Sequence, residues 1–332
     1  MQEINPFTIT QVLKELRSSD DPRKLAERIK QIDLGFTAED ELQAILVWLG
    51  RCSVCHKLEN VAFVSKGKAQ VGVPDVLAVF DVVNSNFCTV IEIKTSIKST
   101  LHWSAKYVEG FLRYQEITGI PVLIAWKHPQ LGIWTINDIA VFERTQNAYK
   151  LTLERAFKEN LMGILAGDVC YQLVDGVGLH ITYQKEKLIE KEVSSGTETW
   201  QVRITDAYFT DGKGIKYTET PPGIFPLFLA SPFISNTEEN SEMIFHSFVI
   251  NSQSQSAGDI QFLHNVFPIF LFFSHKNGNK VEWRDIIKKG ILPLNGEELK
   301  TALETSVGVF SKYEIQQKPQ TLPKWLNLSK KE

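Results

Sequence analysis

The residues of this chain whose types and spacing suggest chemistry are Asp75, Glu92 and Lys94. They stand within residues 72–96, where two short runs of apolar and β-branched residues flank a polar turn at 84–86. Such runs predict the two strands of a β-hairpin. Because side chains alternate across a strand, Glu92 and Lys94 share one face. Asp75, at the start of the partner strand, can come alongside them.

Two carboxylates with an ammonium group beside them are what a Mg²⁺ site for phosphodiester hydrolysis needs. Mg²⁺ prefers oxygen ligands and keeps several waters, so two protein carboxylates and a substrate phosphate suffice. The ion polarises the scissile phosphate and lowers the pKa of a bound water. Lys94 could orient that water or neutralise charge that develops at the phosphorus. The alternative is an ordinary surface hairpin with a Glu–Lys pair, because a single Glu-x-Lys occurs by chance in most proteins.

Pro74-Asp75 followed by Glu92-Ile93-Lys94 resembles the PD-(D/E)xK nuclease superfamily, the fold of many restriction enzymes. The surrounding order is most similar to its archaeal-type Holliday junction resolvase branch. That branch has a helix that opens Ala-Glu-x-Glu-Leu, found here at 38–42, and a Gly-Ile-Pro-Val-Leu segment, found here at 119–123. The similarity extends over residues 37–142, which is under a third of the chain.

The resemblance implies a restriction-endonuclease-like α/β fold, in which helices flank a central mixed sheet, and metal-dependent cleavage of DNA. The implied cofactor is Mg²⁺, with Mn²⁺ as a substitute, and the implied partners are DNA and a second copy in a homodimer. The resemblance assigns catalytic roles to Asp75, Glu92, Lys94 and Glu39. It assigns metal binding to Asp75, Glu92 and Ile93.

Two further carboxylates, Glu39 and Glu41, open the helix predicted to start at Thr37. The helix dipole favours acids in a first turn, so both could simply stabilise this helix end. One of them could instead supply a third carboxylate to the metal site. Glu39 matches the position of this acid in the resembling branch, whereas Glu41 is one register away. We therefore predict that Glu39 assists the reaction.

Basic and aromatic residues near the predicted site are candidates for contacts with the DNA backbone. They lie in a basic loop before Pro74, directly after Lys94, and on a helix predicted at 104–118. These candidates are Lys66, Lys68, Lys98, Lys106, Arg113 and Tyr114. The alternative for the loop is a solvated turn without a role in binding.

The composition limits the class of protein. The formal net charge of −3 and the pI near 6.2 argue against a general polyanion binder, so basic residues that contact DNA must be concentrated locally. The hydrophobic fraction of 43% suits a packed globular protein. No apolar run reaches the roughly 18 residues of a membrane helix. The N-terminus also lacks a basic region followed by an apolar stretch. These features predict a cytoplasmic protein with no membrane partner.

Cys52 and Cys55, followed by His56, form the C-x-x-C-H pattern of c-type haem attachment. Haem attachment requires export, for which the sequence shows no signal. Zinc would need a second pair of ligands, but Cys88 and Cys170 stand alone. We therefore interpret Cys52 and Cys55 as partly buried thiols that follow a helix.

The chain is predicted to contain three regions. Residues 1–36 form an N-terminal helical extension, and residues 37–148 form the nuclease core. The core has the order helix, three strands, helix and two strands, with its first strand at 57–65. Residues 149–332 form an additional α+β domain of unknown role.

Within the C-terminal region, a helix is predicted at 151–165 and a hairpin turn at 211–214. The apolar segment 262–273 is core or a partner interface, and core is the favoured interpretation. Two closing helices are predicted at 282–289 and 296–311. Strands are predicted at 169–174, 178–183 and 200–209.

Two rival functions remain open. The first is a catalytically silent binding module that keeps the fold. Loss of Asp75, Glu92 or Lys94 would be its signature, and all three residues are present. The second is an effector nuclease whose C-terminal region senses a ligand or partner and gates cleavage.

Overall fold

The computed structural model describes residues 37–59, 71–82, 85–192, 196–251, 260–269, 292 and 294–326. The predicted N-terminal extension and the predicted helix at 282–289 lie outside these residues. The same holds for Lys66 and Lys68 of the basic loop and for most of the strand predicted at 57–65. The described first strand lies earlier, at Cys52–Lys57.

The first described helix, α1, spans Ala38–Leu49. Its start is set by Thr37, whose side-chain oxygen accepts the N–H of Asp40 as an N-cap. Its end is set by Gly50, whose φ of 100° is the left-handed conformation that favours glycine. Apolar residues at helical spacing bury one face of α1: Leu42, Ile45, Leu46 and Leu49.

The central sheet has five strands in the order β1-β2-β3-β5-β6. β3 and β5 are parallel, whereas the other pairs are antiparallel. The parallel pair is joined through strand β4 and helix α2, which begins after the N-cap Ser104 and ends at Gly119. The elements are β1 Cys52–Lys57, β2 Val76–Val82, β3 Ser85–Thr95, β4 Thr100–Ser104, α2 Ala105–Thr118, β5 Val122–His128 and β6 Ile133–Asp138. This mixed sheet between helices confirms the predicted α/β class.

The predicted hairpin is formed by β2 and β3. Val76 pairs with Ile91, and Val82 pairs with Ser85. The connection is therefore shorter than the predicted turn at 84–86, because Ser85 and Asn86 already belong to the ladder.

The two faces of the sheet bury different helices. Ile91 and Ile93 belong to the same core cluster as the apolar stripe of α1. Val90 belongs to a second cluster with Val108 and Phe111 of α2. Since side chains alternate along β3, Glu92 and Lys94 lie on the face that α2 covers.

The prediction of one helix at 151–165 is wrong. Residues Ala148–Thr152 form strand β8, which pairs with β4 and with the short β7, Glu143–Arg144. Two short helices follow, α3 at Leu153–Lys158 and α4 at Met162–Leu165. Asn160 separates them, because its side-chain oxygen accepts the N–H groups of Ile136 and Met162. A side chain that competes for backbone donors in this way favours a turn over a continuous helix.

The rest of the described chain is rich in strands. A five-stranded sheet has the order β12-β11-β10-β14-β13, and a smaller sheet has the order β15-β9-β16. The elements are β9 Val169–Leu173, β10 Gly178–Lys191, β11 Glu198–Thr210, β12 Lys216–Tyr217, α5 Ile224–Ala230, β13 Phe233–Glu239, β14 Met243–Ile250, β15 Gln261–Phe262, α6 Gly296–Thr305 and β16 Ser311–Gln316. The predicted strands at 169–174, 178–183 and 200–209 are all present, the last two as parts of longer strands.

Two further predictions in this region have clear outcomes. The turn at 211–214 is present, and the carboxylate of Asp211 accepts the N–H groups of Lys213 and Ile215. The last helix ends at Thr305 and not at residue 311, because Gly308 turns the chain with a φ of 80° and Ser311 starts β16. Of the apolar segment 262–273, the described Phe262 and Phe267 are buried in the molecule.

The C-terminal region packs directly on α1 and the central sheet. One continuous core cluster joins the stripe of α1 to residues of β9, β10, α5 and α6. The indole N–H of Trp48 donates to the carbonyl of Leu294 at 2.9 Å. Gly296 lies so close to α1 that a Cβ atom there would stand 2.8 Å from the Cα of Leu49. The predicted boundary at 148/149 falls within β8, and the division into domains stays a prediction.

Among the described residues, no helix is both long and apolar enough to cross a membrane.

Because both regions share a core, a bond between them should contribute to the stability of the whole chain. We expect Trp48→Phe, which leaves the Leu294 carbonyl buried without its donor, to lower the free energy of unfolding by about 1–3 kcal/mol. Trp200→Phe is the matched control, since this indole N–H donates to the exposed carboxylate of Glu198, and it should cost less than about 0.5 kcal/mol. Urea unfolding followed by circular dichroism measures both, and equal losses would contradict the shared core.

Candidate active site

The hairpin brings Asp75, Glu92 and Lys94 together. Asp75 directly precedes β2, and the other two residues lie near the end of β3. β3 is the central strand of the sheet, so Glu92 is only 3% exposed although it carries a carboxylate. An isolated buried charge is costly, and such a group needs partners. The three residues are those predicted for the catalytic site.

Asp75 is fixed between two strands. Its carbonyl accepts the N–H of Leu58, after β1, at 2.8 Å. Its side-chain Oδ2 accepts the N–H of Ile93 at 2.7 Å. The β2–β3 ladder ends at the pair Val76–Ile91, so the carboxylate takes the place of the next strand partner. Because the N–H and C=O of one strand residue point to the same side, the carbonyl of Ile93 also faces Asp75.

Glu92 has two donors on one carboxylate oxygen. Its Oε1 accepts a hydrogen bond from Lys94 Nζ at 2.5 Å and another from the hydroxyl of Tyr107 at 2.6 Å. Burial raises the pKa of Glu92, and the two hydrogen bonds oppose this shift only in part. The negative charge of Asp75 raises the pKa of Glu92 further.

Lys94 is held as a cation. Burial alone would lower its pKa, but the hydrogen bond and charge of Glu92 outweigh burial, and the pKa of Lys94 is raised. Its Nζ also lies 5.9 Å from the ring centre of Trp103 and 5.4 Å from that of Tyr107. Cations at such distances are attracted by aromatic rings. The ammonium group of Lys94 is therefore a hydrogen-bond donor to Glu92 and carries a positive charge.

The oxygens near the hairpin end fit a small hard cation. No hydrogen-bond partner is found among the described residues for Oδ1 of Asp75 or Oε2 of Glu92, and the carbonyl of Ile93 lies beyond the end of the ladder. No group of three or more His, Cys, Asp or Glu side chains that could hold a metal ion occurs in the described part of the chain. Two carboxylates and one carbonyl would leave positions for water and phosphate, as Mg²⁺ requires.

The structure places Glu39 and Glu41 differently from each other. Glu39 pairs with Lys57 Nζ at 2.9 Å, and Lys57 lies opposite Val76, the residue after Asp75. Glu41 instead contacts Lys127 Nζ and accepts the indole N–H of Trp134 at 3.2 Å. Both acids sit on α1, which covers the face opposite Glu92. The role of Glu39 stays a prediction.

The predicted DNA-contacting residues fall into two groups among those described. Lys98 and Lys106 are exposed, in the loop after β3 and in the first turn of α2. Arg113 and Tyr114 are half-buried further along α2, and Tyr114 packs against the second core cluster. The site edge therefore presents Lys98 and Lys106 to solvent, whereas Tyr114 contributes to packing.

Three of the described cysteines are buried or half-buried in the fold. Cys52 is buried and Cys55 is half-buried on β1, the strand that follows α1. The Cys52 thiol donates to the carbonyl of Val54 at 3.3 Å. Cys170 is also buried, and its burial raises its pKa to about 12. These surroundings agree with the interpretation of Cys52 and Cys55 as partly buried thiols.

Tyr107 lies on the helix predicted to contact the DNA backbone, but neither Tyr107 nor Trp103 was predicted as part of the metal site. A signal for Tyr107 was available, because it stands four residues before Phe111 on a predicted helix. Residues at i and i+4 share a helix face, and the face of Phe111 points toward the sheet. Trp103 carried no comparable signal, since the short strand β4 was not predicted.

Part of the chain, including this site, matches a family model of known proteins. Residues 54–165 match the family model of the archaeal Holliday junction resolvase (Hjc). Among solved structures, Hjc of Archaeoglobus fulgidus, a Holliday junction resolvase from an archaeal hyperthermophile, matches with 21% sequence identity and a TM-score of 0.27. That match covers 34% of this chain and 87% of the other. The search of curated proteins finds no match.

The family match includes Asp75, Glu92, Lys94 and Tyr107 and ends at the residue that closes α4. The resemblance to the PD-(D/E)xK nuclease superfamily, and within it to the archaeal-type Holliday junction resolvases, is thereby confirmed for residues 54–165.

Proposed function

We propose that this chain is a Mg²⁺-dependent DNA endonuclease that hydrolyses phosphodiester bonds. The observation that carries the proposal is the meeting of Asp75, Glu92, Lys94 and the main chain of Ile93 at the open end of one hairpin. Two carboxylates within each other's electrostatic influence, beside a fixed ammonium group, suit a divalent cation and a phosphate better than they suit a purely structural role.

Each residue has a defined part in the proposed reaction. Asp75, Glu92 and the carbonyl of Ile93 would hold the cation, for which Mn²⁺ can substitute. When bound, the cation polarises the phosphate and provides an activated water. Lys94 keeps its proton and donates to a phosphate oxygen or to the attacking water, which stabilises the charge that develops in the transition state. Glu39 would assist from the start of α1, through Lys57.

The proposed substrate follows from the family match alone. Because that family is named for Holliday junctions, a four-way DNA junction is the first substrate that we propose. Paired cuts in a junction need two active sites, so the proposal includes a homodimer. The matched segment is about a third of the chain, and the C-terminal region beyond residue 165 lies outside it. This region would determine which form of DNA is cut.

A second candidate function is an effector nuclease gated by its C-terminal region. The favouring observation is that α6 packs on the end of α1, with Arg51 Nε 3.4 Å from Glu297 Oε1. The predicted assisting acid, Glu39, lies at the other end of the same helix. A ligand that shifts α6 could therefore act on the site through α1. Cleavage only after a ligand is added would favour this candidate.

We expect Asp75→Ala, Glu92→Ala and Lys94→Ala each to reduce cleavage by about 100-fold or more, because each removes a group that acts on the transition state. Four-way junction, linear, supercoiled and single-stranded DNA are incubated with Mg²⁺, Mn²⁺ or EDTA. EDTA should abolish cleavage of every form. Lys158→Ala, which removes an exposed lysine paired only with Glu154, is the matched control and should cleave at the wild-type rate. Wild-type turnover by any of the three site variants would remove that residue from the site.

Glu39→Gln and Glu41→Gln should separate catalysis from stability. We expect Glu39→Gln to lower cleavage with little effect on unfolding, because Glu39 is 40% exposed and lies on the side of Asp75. Glu41→Gln should weaken the half-buried contact with Lys127 and cost about 1–3 kcal/mol of stability, with near-normal turnover per folded molecule. Cleavage rates and thermal unfolding are measured for both. A larger loss of turnover in Glu41→Gln would move the assisting role to that residue.

A further inference from the structure

Tyr107 is the group nearest to the proposed metal ligands to which neither the family pattern nor the proposed reaction assigns a role. It lies in the first turn of α2, where its N–H donates to the N-cap oxygen of Ser104 at 3.3 Å. Its ring meets Trp103 and Phe111 edge-on, with centroid distances of 5.5 and 4.9 Å. Edge-to-face contacts on two sides fix the ring in place. Tyr107 is 41% exposed, so these two ring contacts and the hydrogen bond to Glu92 together set the position of its hydroxyl.

The hydroxyl makes a specific contact. It donates to Oε1 of Glu92 at 2.6 Å, and Lys94 donates to the same oxygen at 2.5 Å. Oε1 is thus occupied by two donors, while Oε2 has no partner among the described residues. A glutamate has three rotatable side-chain bonds, so a single long and flexible lysine leaves its carboxylate free to turn. The second donor on a rigid ring removes this freedom.

Helix α2 also lies close to the segment that precedes Asp75. A Cβ atom on Gly110 would lie 3.1 Å from the main-chain nitrogen of Gly72, three residues before Asp75. α2 therefore rests on the chain that leads into one proposed ligand, while Tyr107 contacts the other. The same helix fixes the relative positions of Asp75 and Glu92.

We propose that Tyr107 is a positioning residue for the metal site: its hydroxyl holds Oε1 of Glu92, so that Oε2 is presented to the cation. When a phosphate takes the hydrogen bonds of Lys94, Tyr107 remains as the anchor of Glu92. This inference rests on the proposed function, since it assigns a task within that site. A role in packing alone would not need the hydroxyl, because a phenylalanine ring makes the same contacts with Trp103 and Phe111.

The test compares Tyr107→Phe with Tyr208→Phe, a control that removes a hydroxyl far from the site on β11. Mn²⁺ binding without DNA is measured by calorimetry and by electron paramagnetic resonance. Cleavage is measured as a function of Mg²⁺ concentration, and DNA affinity is measured in EDTA. We expect Tyr107→Phe to raise the Mn²⁺ dissociation constant roughly tenfold, as loss of a hydrogen bond to a charged group implies. The Mg²⁺ concentration for half-maximal cleavage should rise similarly, with kcat at saturating Mg²⁺ and DNA affinity unchanged.

The outcomes separate this inference from the proposed function. Unchanged or tighter Mn²⁺ binding in Tyr107→Phe would overturn the positioning role, even if the wild type cleaves DNA. Wild-type protein that binds Mn²⁺ but cuts no DNA would overturn the nuclease proposal, while the comparison of Mn²⁺ affinities would still decide the role of Tyr107. Wild-type protein that binds no Mn²⁺ would overturn both.

Discussion

The described site depends on one physical constraint, which is the burial of a carboxylate in the middle of a sheet. Glu92 lies on β3, which has strands on both sides and a helix over its face, and only 3% of the residue is exposed. A buried charge needs compensation. Lys94 and Tyr107 provide part of it at Oε1, and a cation at Oε2 would provide the rest. The pKa of Glu92 remains raised by burial despite both hydrogen bonds, which shows that these two partners compensate its charge incompletely.

The early end of the β2–β3 ladder is a second feature of the hairpin that shapes the site. β2 begins one residue after Asp75, so the ladder stops while β3 continues to Thr95. The peptide groups near Ile93 therefore lose their β2 partner, and the Asp75 carboxylate accepts the N–H of Ile93 in place of a strand carbonyl. The end of a strand pair thus supplies a carboxylate beside a main-chain carbonyl that lies beyond the β2–β3 ladder. Strand ends on a rigid sheet hold such groups more accurately than a loop does.

The C-terminal region shares a hydrophobic core with α1 and the central sheet. Its residues complete the core cluster of α1. The buried His264 also connects it to β6: its Nδ1 lies 2.7 Å from Oδ2 of Asp168, and its Nε2 accepts the N–H of Trp134 on β6. A chain truncated near residue 150 would expose this apolar face. The region therefore contributes to the hydrophobic core that surrounds α1 and the sheet. Long-range packing of this kind also gives it a physical route, through α1, to the proposed site.

The sequence alone determined the parts of this protein that depend on short-range patterns. The spacing of Asp75, Glu92 and Lys94 on two apolar strands identified the candidate site, since alternation along a strand follows from the backbone. The ends of both flanking helices were readable from Thr37 and Gly119, because caps act within a few residues. The family resemblance was readable from the same local motifs.

Only the tertiary structure decided the contacts between distant segments. It paired Glu39 with Lys57, joined Tyr107 to Glu92, and showed that Asn160 interrupts a helix whose apolar spacing alone looked continuous. It also merged the core of the C-terminal region with that of the central sheet. Each of these depends on which surfaces meet after folding, and a hydrogen bond or buried contact between residues far apart in sequence leaves no local periodicity to read.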